Sequence, residues 1–254
     1  MTMLRSIAMA FACFSAIPMP QVSWTKENMR YLMAAFPLVG AVVGGALWLW
    51  LCACGALGLG PLVRGAGLAL LPLAITGGIH MDGFADVVDA QASHAEAEQK
   101  RKILKDPHVG AFAVMGVCGY LIAHVAFASE LDARHGLLIA CVPVVSRSLA
   151  GLAALCWPAS GTSGMLATMR ATARLGVAKV ALGLQLVLAS AGMLVASPCV
   201  GGAALAVAGL AFAWARRFSA RQFGGLSGDL VGFCVQVLEL ALVVSVVVAG
   251  RIVA

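Results

Sequence analysis

Charge is what this sequence has least of. Asp, Glu, Lys and Arg supply 11% of its 254 residues, and apolar side chains supply 61% before the 29 glycines are counted. An average soluble chain carries roughly 25% charge and reaches about 45–50% apolar with glycine included. That composition excludes an ordinary soluble domain and indicates a membrane protein. Alternation of apolar and polar residues is also missing. Backbone groups in lipid must be satisfied internally, which leaves helices or a closed barrel. Several apolar windows run unbroken to the roughly 20 residues that cross a hydrocarbon layer of about 30 Å, and this favours helices.

Zinc-type spacing is absent as well. The eight cysteines, at positions 13, 52, 54, 118, 141, 156, 199 and 234, form no CxxC and no Cys/His pattern suited to zinc. Nearly all lie inside apolar windows and read as small packing residues. The net charge of +6 comes from basic clusters beside the windows. Membrane topology and anionic headgroups account for such clusters, and nucleic acid is not expected as a partner.

Seven transmembrane helices are expected, within residues 31–59, 61–78, 110–128, 136–157, 177–196, 199–215 and 230–250, in one integral membrane domain covering 1–254. Residues 1–20 carry Arg5 and then an uncharged run, but no small-x-small cleavage site precedes a soluble domain. They read as an uncleaved membrane-associated segment. Gly40 and Gly44, four apart in the first window, permit close helix approach. A surface helix is expected over 96–105, and loops over 158–176 and 216–229. With the N-terminus in the cytoplasm, thirteen of the seventeen Lys and Arg residues fall on that side. The expected location is therefore the cytoplasmic (inner) membrane, multi-pass.

The sparse charge is concentrated in Gly77-Gly78-Ile79-His80-Met81-Asp82-Gly83-Phe84-Ala85-Asp86-Val87-Val88-Asp89. On a helix, Asp82, Asp86 and Asp89 stand at i, i+4 and i+7 and share one face. Like charges so placed repel, so a cation is the simplest neutraliser, and hard oxygen donors select Mg2+, Mn2+ or Ca2+ over Zn2+. Arg221-Gln222-Phe223-Gly224-Gly225-Leu226-Ser227-Gly228-Asp229 falls on the same face of the membrane. Its Asp229 is a candidate fourth metal ligand, and Gly224 and Gly225 form a turn whose amides can approach a phosphate. Lys105 precedes a helix start and suits a phosphate oxygen.

Two charges lie deeper. Arg147 is ten residues before Trp157, and Glu239 is ten residues after Asp229, which puts both about 15 Å from that face. An unpaired charge at that depth costs roughly 2.5–3.5 kcal/mol, so the two are expected to pair or to share a polar cavity.

These stretches, together with Phe36-Pro37-Leu38-Val39-Gly40 and Lys105-Asp106-Pro107-His108-Val109-Gly110, resemble the adenosylcobinamide-GDP ribazoletransferase (cobalamin-5′-phosphate synthase) family over most of the chain. Pro107, His108 and Ala90 depart from the family's usual residues. The resemblance implies an all-α polytopic membrane transferase with its active site at the cytoplasmic face. It would act in cobalamin biosynthesis, with Mg2+ as cofactor and Mn2+ as a substitute. Its substrates would be adenosylcobinamide-GDP and α-ribazole or α-ribazole 5′-phosphate, giving adenosylcobalamin or its phosphate plus GMP.

On that chemistry Asp82, Asp86 and Asp229 are assigned to the metal, Asp89 to the general base and His80 to either role. Lys105 and Arg221, with Gly224 and Gly225, are assigned to the pyrophosphate. Membrane lipid, a second copy of the chain and other cobalamin-assembly enzymes are the remaining partners considered. Two rival readings are a CDP-alcohol phosphotransferase and a cation-coupled transporter. Asp86 stands where the first has Arg, and the second usually carries internal repeats, which this chain lacks.

Overall fold

The computed structural model describes residues 2–162 and 164–253. Among these, regular structure is helical, and strand pairing is limited to one isolated parallel bridge between Ala159 and Leu226. The long helices form where the apolar windows are: α3 (Leu32–Ala56), α4 (Pro61–Thr76), α7 (Ala111–Ala128), α8 (Gly136–Cys156), α10 (Leu175–Ala196), α11 (Pro198–Phe223) and α12 (Gly228–Val253). Shorter helices are the apolar α1 (Thr2–Phe14) and, in the stretches that carry more polar residues, α2 (Lys26–Met29), α5 (Ile79–Ala92), α6 (Ala97–Ile103) and α9 (Met165–Thr172). Among the described residues six helices are long and apolar enough to cross a membrane, or seven if α4 and α5, bent by 100° at their junction, count as one span.

That elbow is written in two glycines. Gly77 closes α4 at φ 64° and Gly78 opens α5 at φ 76°, consecutive left-handed residues that a side chain would strain. The chain therefore leaves the direction of α4, and α5 continues across one end of the bundle, packed on α12 and α7.

The sixth expected span is longer than its apolar window. α11 continues through Arg216, Arg217 and Arg221 to Phe223, so the loop expected over 216–229 shrinks to 224–227. The reason is packing. Phe218 stacks on Trp214 and Phe233 and meets Phe223, which gives the polar end of the helix an aromatic face to bury. The loop expected over 158–176 likewise contains α9.

The centre of the bundle is α8 and α12, each 67% buried over its apolar window, whereas α7 and α10 are 22% buried and face outward. α3 packs on α8 with Gly40 against the Pro143 carbonyl and Gly44 against that of Ala140, where any Cβ would collide. α1 dips beside α3: Ser6 Oγ donates to the Asn28 carbonyl, and the Ala16 N–H reaches the Ile75 carbonyl at the end of α4.

Candidate active site

Helical spacing puts Asp82 and Asp86 one turn apart on α5, and the tertiary fold adds Asp229. Gly83 lies against the start of α12, where a Cβ would come within 2.7 Å of the Asp229 carbonyl oxygen. Only a residue without a side chain lets the two acidic stretches meet so closely. Ser227 Oγ holds Asp229 from the other side, donating to Oδ2 at 3.3 Å and accepting the Leu230 N–H.

The carboxylates oppose one another. Burial first, and then the charges of Asp82, Asp229 and Asp89, work against ionisation of Asp86. Among the described residues no Lys or Arg forms an ion pair with any of the four. An all-oxygen donor set with uncompensated charge fits a hard divalent cation. No three of these groups close on a single point among the described residues, so the expected Asp82–Asp86–Asp229 set is gathered without forming a finished cage.

Asp89 has a second task. Its Oδ1 accepts the Ala113 N–H at 3.3 Å, at the first turn of α7, where anions are favoured. Gly110 makes this possible, because a Cβ there would strike the carboxylate. Oδ2 has no hydrogen bond among the described residues.

His80 is not in the carboxylate group. It is 4% exposed, its ring centroid 6.3 Å from that of Phe14 and 5.6 Å from that of Phe36. Nε2 has no partner, and burial first, then the charge of Arg147, opposes a positive charge on the ring. A catalytic or metal-binding His80 is therefore corrected to a neutral packing residue, because two positions from Asp82 on a helix is the opposite face.

The basic wall also differs from expectation. Lys105, Arg101, Ser160, Gly161, Ser227 and Asp229 line a cavity of about 340 Å3. Arg221 is exposed on the last turn of α11 and lies outside that lining. Arg101, which sequence reading passed over, is fixed in the wall by donating to the Phe223 carbonyl at 2.9 Å.

Gly224 and Gly225 are not free phosphate donors. Both N–H groups are spent on the Ser219 carbonyl, closing α11. Gly225 is further pressed against Ala159, where a Cβ would come within 2.6 Å of the backbone. The turn is structural, and it docks the 158–160 loop through Leu226 N–H to Pro158 O and Ser160 N–H to Leu226 O. The Ser160-Gly161 stretch thereby reaches the site, and its run of small polar residues was the only sign of it in the sequence.

Lys100 was also missed. It is 3% exposed, and Nζ donates to Gln91 Oε1 at 2.9 Å and Gln222 Oε1 at 2.6 Å. This one ammonium ties α6 to the ends of α5 and α11. Nearby, the His108 backbone N–H and then its ring hold the Asp106 carboxyl below its usual range.

Below the site, Arg147 Nη1 lies 2.5 Å from Glu239 Oε1. Ser146 Oγ donates to the same oxygen at 3.0 Å, and the Pro143 carbonyl accepts from Arg147.

Family comparison decides what this arrangement belongs to. A model described as Cobalamin-5-phosphate synthase matches residues 6–247. The chain belongs to that family. Three relatives named adenosylcobinamide-GDP ribazoletransferase are similar to it over most of their length. One from Lachnoclostridium phytofermentans is 35% identical over 100% of this chain and 97% of its own. One from Clostridium botulinum strain Alaska E43 is 28% identical over 94% and 95%. One from Geobacillus kaustophilus is 33% identical over 90% and 89%. No solved structure matches. As a cobalamin-5-phosphate synthase family member, the chain keeps its acidic stretch, its Lys105 segment and its 224–229 turn within the matched residues.

Proposed function

We propose that this protein is a membrane transferase of cobalamin biosynthesis. It joins adenosylcobinamide-GDP to α-ribazole or α-ribazole 5′-phosphate and releases GMP. The observation that carries the reading is the meeting of Asp82 and Asp86 with Asp229, from stretches far apart in sequence, beside a cavity walled by Arg101 and Lys105. Family membership and the relatives' names support it.

Asp82, Asp86 and Asp229 would hold the divalent cation, Mg2+ or Mn2+, by carboxylate oxygens alone. When bound, the cation supplies charge stabilisation to phosphoryl oxygens and to the departing phosphate. Lys105 and Arg101 hold the diphosphate in the basic cavity, Lys105 as a mobile point charge and Arg101 from a fixed position. The acceptor hydroxyl oxygen forms a bond to the phosphorus on the cobinamide side. The bond from that phosphorus to the bridging oxygen breaks, and GMP leaves with the electron pair. Asp89 Oδ2 takes the hydroxyl proton and passes it to water, while Oδ1 stays tied to Ala113. Arg147 and Glu239 cancel each other's charge beneath the site and keep α8 and α12 in register.

The carboxylate end faces the cytoplasm in this reading, with the N-terminus on the same side, in the inner membrane. Basic residues near that end support it: Arg5, Lys26, Arg30, Lys100, Arg101, Lys102, Lys105, Arg170, Arg174, Arg216, Arg217 and Arg221.

The reaction is tested with purified protein in lipid, supplied with adenosylcobinamide-GDP, α-ribazole 5′-phosphate and Mg2+. Corrinoid product and GMP in equal amounts are expected. Absence of both from folded protein refutes the assignment.

A further inference from the structure

The carboxylates are reached through two separate cavities with different chemistry. Asp229 lines the basic one, of about 340 Å3, on the α6, α9 and α12 side. Asp82 lines another, of about 510 Å3, at the elbow of α4 and α5 and against α7. The two share no lining residue. Leu73, Ile79, Met81 and Val117 contribute apolar surface to the second cavity beside a comparable polar share, and no Lys, Arg or His lines it. Its floor is the Gly77-Gly78 elbow, and a Cβ at Gly78 would meet nothing within 4 Å.

We infer that the Asp82 cavity is the acceptor site. It takes the nucleoside portion of the attacking substrate, with the flat aromatic base against Leu73, Ile79, Met81 and Val117 and a ribose hydroxyl turned toward the face of α5 that carries Asp82, Asp86 and Asp89. The nucleoside diphosphate occupies the Arg101 and Lys105 cavity.

This rests on the transferase reading above and adds a division of labour to it. A diphosphate seeks cations, and only one of the two cavities has them. A benzimidazole-type base carries no phosphate charge and can lie on the apolar side chains of the other, which has no cationic residue. Displacement at phosphorus also places the attacking and leaving oxygens roughly in line on opposite sides of the reacting atom. Asp82 lines one cavity and Asp229 the other, so the two substrates can approach the carboxylates separately and neither has to pass the other. The elbow therefore does more than turn the chain: it opens the space in which the acceptor sits.

Filling each cavity separately tests the inference. Val117→Leu, Val117→Phe and Val117→Trp add bulk on the Asp82 side, and Ser160→Trp adds it on the basic side. Steady-state kinetics are measured in lipid for every variant that remains monodisperse. The Val117 series is expected to raise KM for α-ribazole and for its phosphate progressively, at least tenfold by the largest tolerated side chain. KM for adenosylcobinamide-GDP and the inhibition constant of GMP should stay within about twofold. Ser160→Trp should do the reverse. A Val117 series that raises only the adenosylcobinamide-GDP KM, or both KM values together, overturns the acceptor assignment and leaves the transferase reading standing. Wild-type protein that makes no corrinoid product from either acceptor overturns the transferase reading itself.

Discussion

Gly83 on α5 packs directly on the backbone of Asp229 at the start of α12, so the position between two carboxylates is also where the third is brought in. A methyl group at Gly83 must displace α12 or α5, since it would sit 2.7 Å from the Asp229 carbonyl oxygen. Gly83→Ala is expected to cost about 1–3 kcal/mol of stability by overpacking and to lower kcat more than tenfold. Gly232→Ala, where the nearest atom is the His80 carbonyl oxygen at 3.1 Å, should be milder in both. Thermal unfolding in detergent and turnover in lipid check the pair; equal activity in both variants contradicts the role given to the Gly83 contact.

Arg147 and Glu239 form a buried ion pair, and removing one partner strands the other. Glu239→Ala or Arg147→Ala is expected to destabilise by about 3–5 kcal/mol. Each single reversal, Arg147→Glu or Glu239→Arg, should be worse than the double reversal. Expression yield and melting temperature of the four proteins decide it, and a double reversal no better than either single one argues against direct pairing.

Lys100 binds two glutamines on two other helices, so its loss should loosen α6 without touching the carboxylates. Lys100→Met is expected to raise KM for adenosylcobinamide-GDP about tenfold, to leave kcat within about threefold, and to speed proteolysis between residues 93 and 110. Unchanged proteolysis would show that α6 is held by other means.

His80→Phe separates packing from catalysis. An aromatic ring among Phe14 and Phe36 keeps the volume, and Nε2 has no hydrogen bond to lose. Removing an unsatisfied buried polar atom is neutral or stabilising, so activity should stay within about threefold. A hundredfold fall would restore a chemical role for the imidazole.

Local periodicity carried much of this architecture, and tertiary contact carried the rest. Unbroken apolar windows indicate membrane helices because lipid leaves the backbone few alternatives. The i, i+4, i+7 aspartates share a face because helix geometry is local. Counting ten residues inward from Trp157 and from Asp229 put Arg147 and Glu239 at one depth, and they lie 2.5 Å apart.

What sequence could not reveal was competition for the same groups. Glycine amides at 224 and 225 look free until Ser219 takes them. His80 looks close to Asp82 until the helix turns it toward Phe36. Arg221 and Arg101 are equally basic on paper, and only the fold places Arg101 in the cavity with Lys105. The end of α11 was misjudged because its arginines suggested a loop, whereas Phe218 and Phe223 bury an aromatic face there.

The most direct test is product formation by wild type and Asp82→Asn side by side in lipid, with adenosylcobinamide-GDP, α-ribazole 5′-phosphate and Mg2+, each with and without EDTA. Wild type should give corrinoid product and GMP in equal amounts, lose both with EDTA and recover both when Mg2+ is restored in excess. Asp82→Asn should be folded and at least a hundredfold slower. Full activity in Asp82→Asn, or in chelator-treated wild type, would contradict the central claim that these carboxylates hold the cation at which the two substrates are joined.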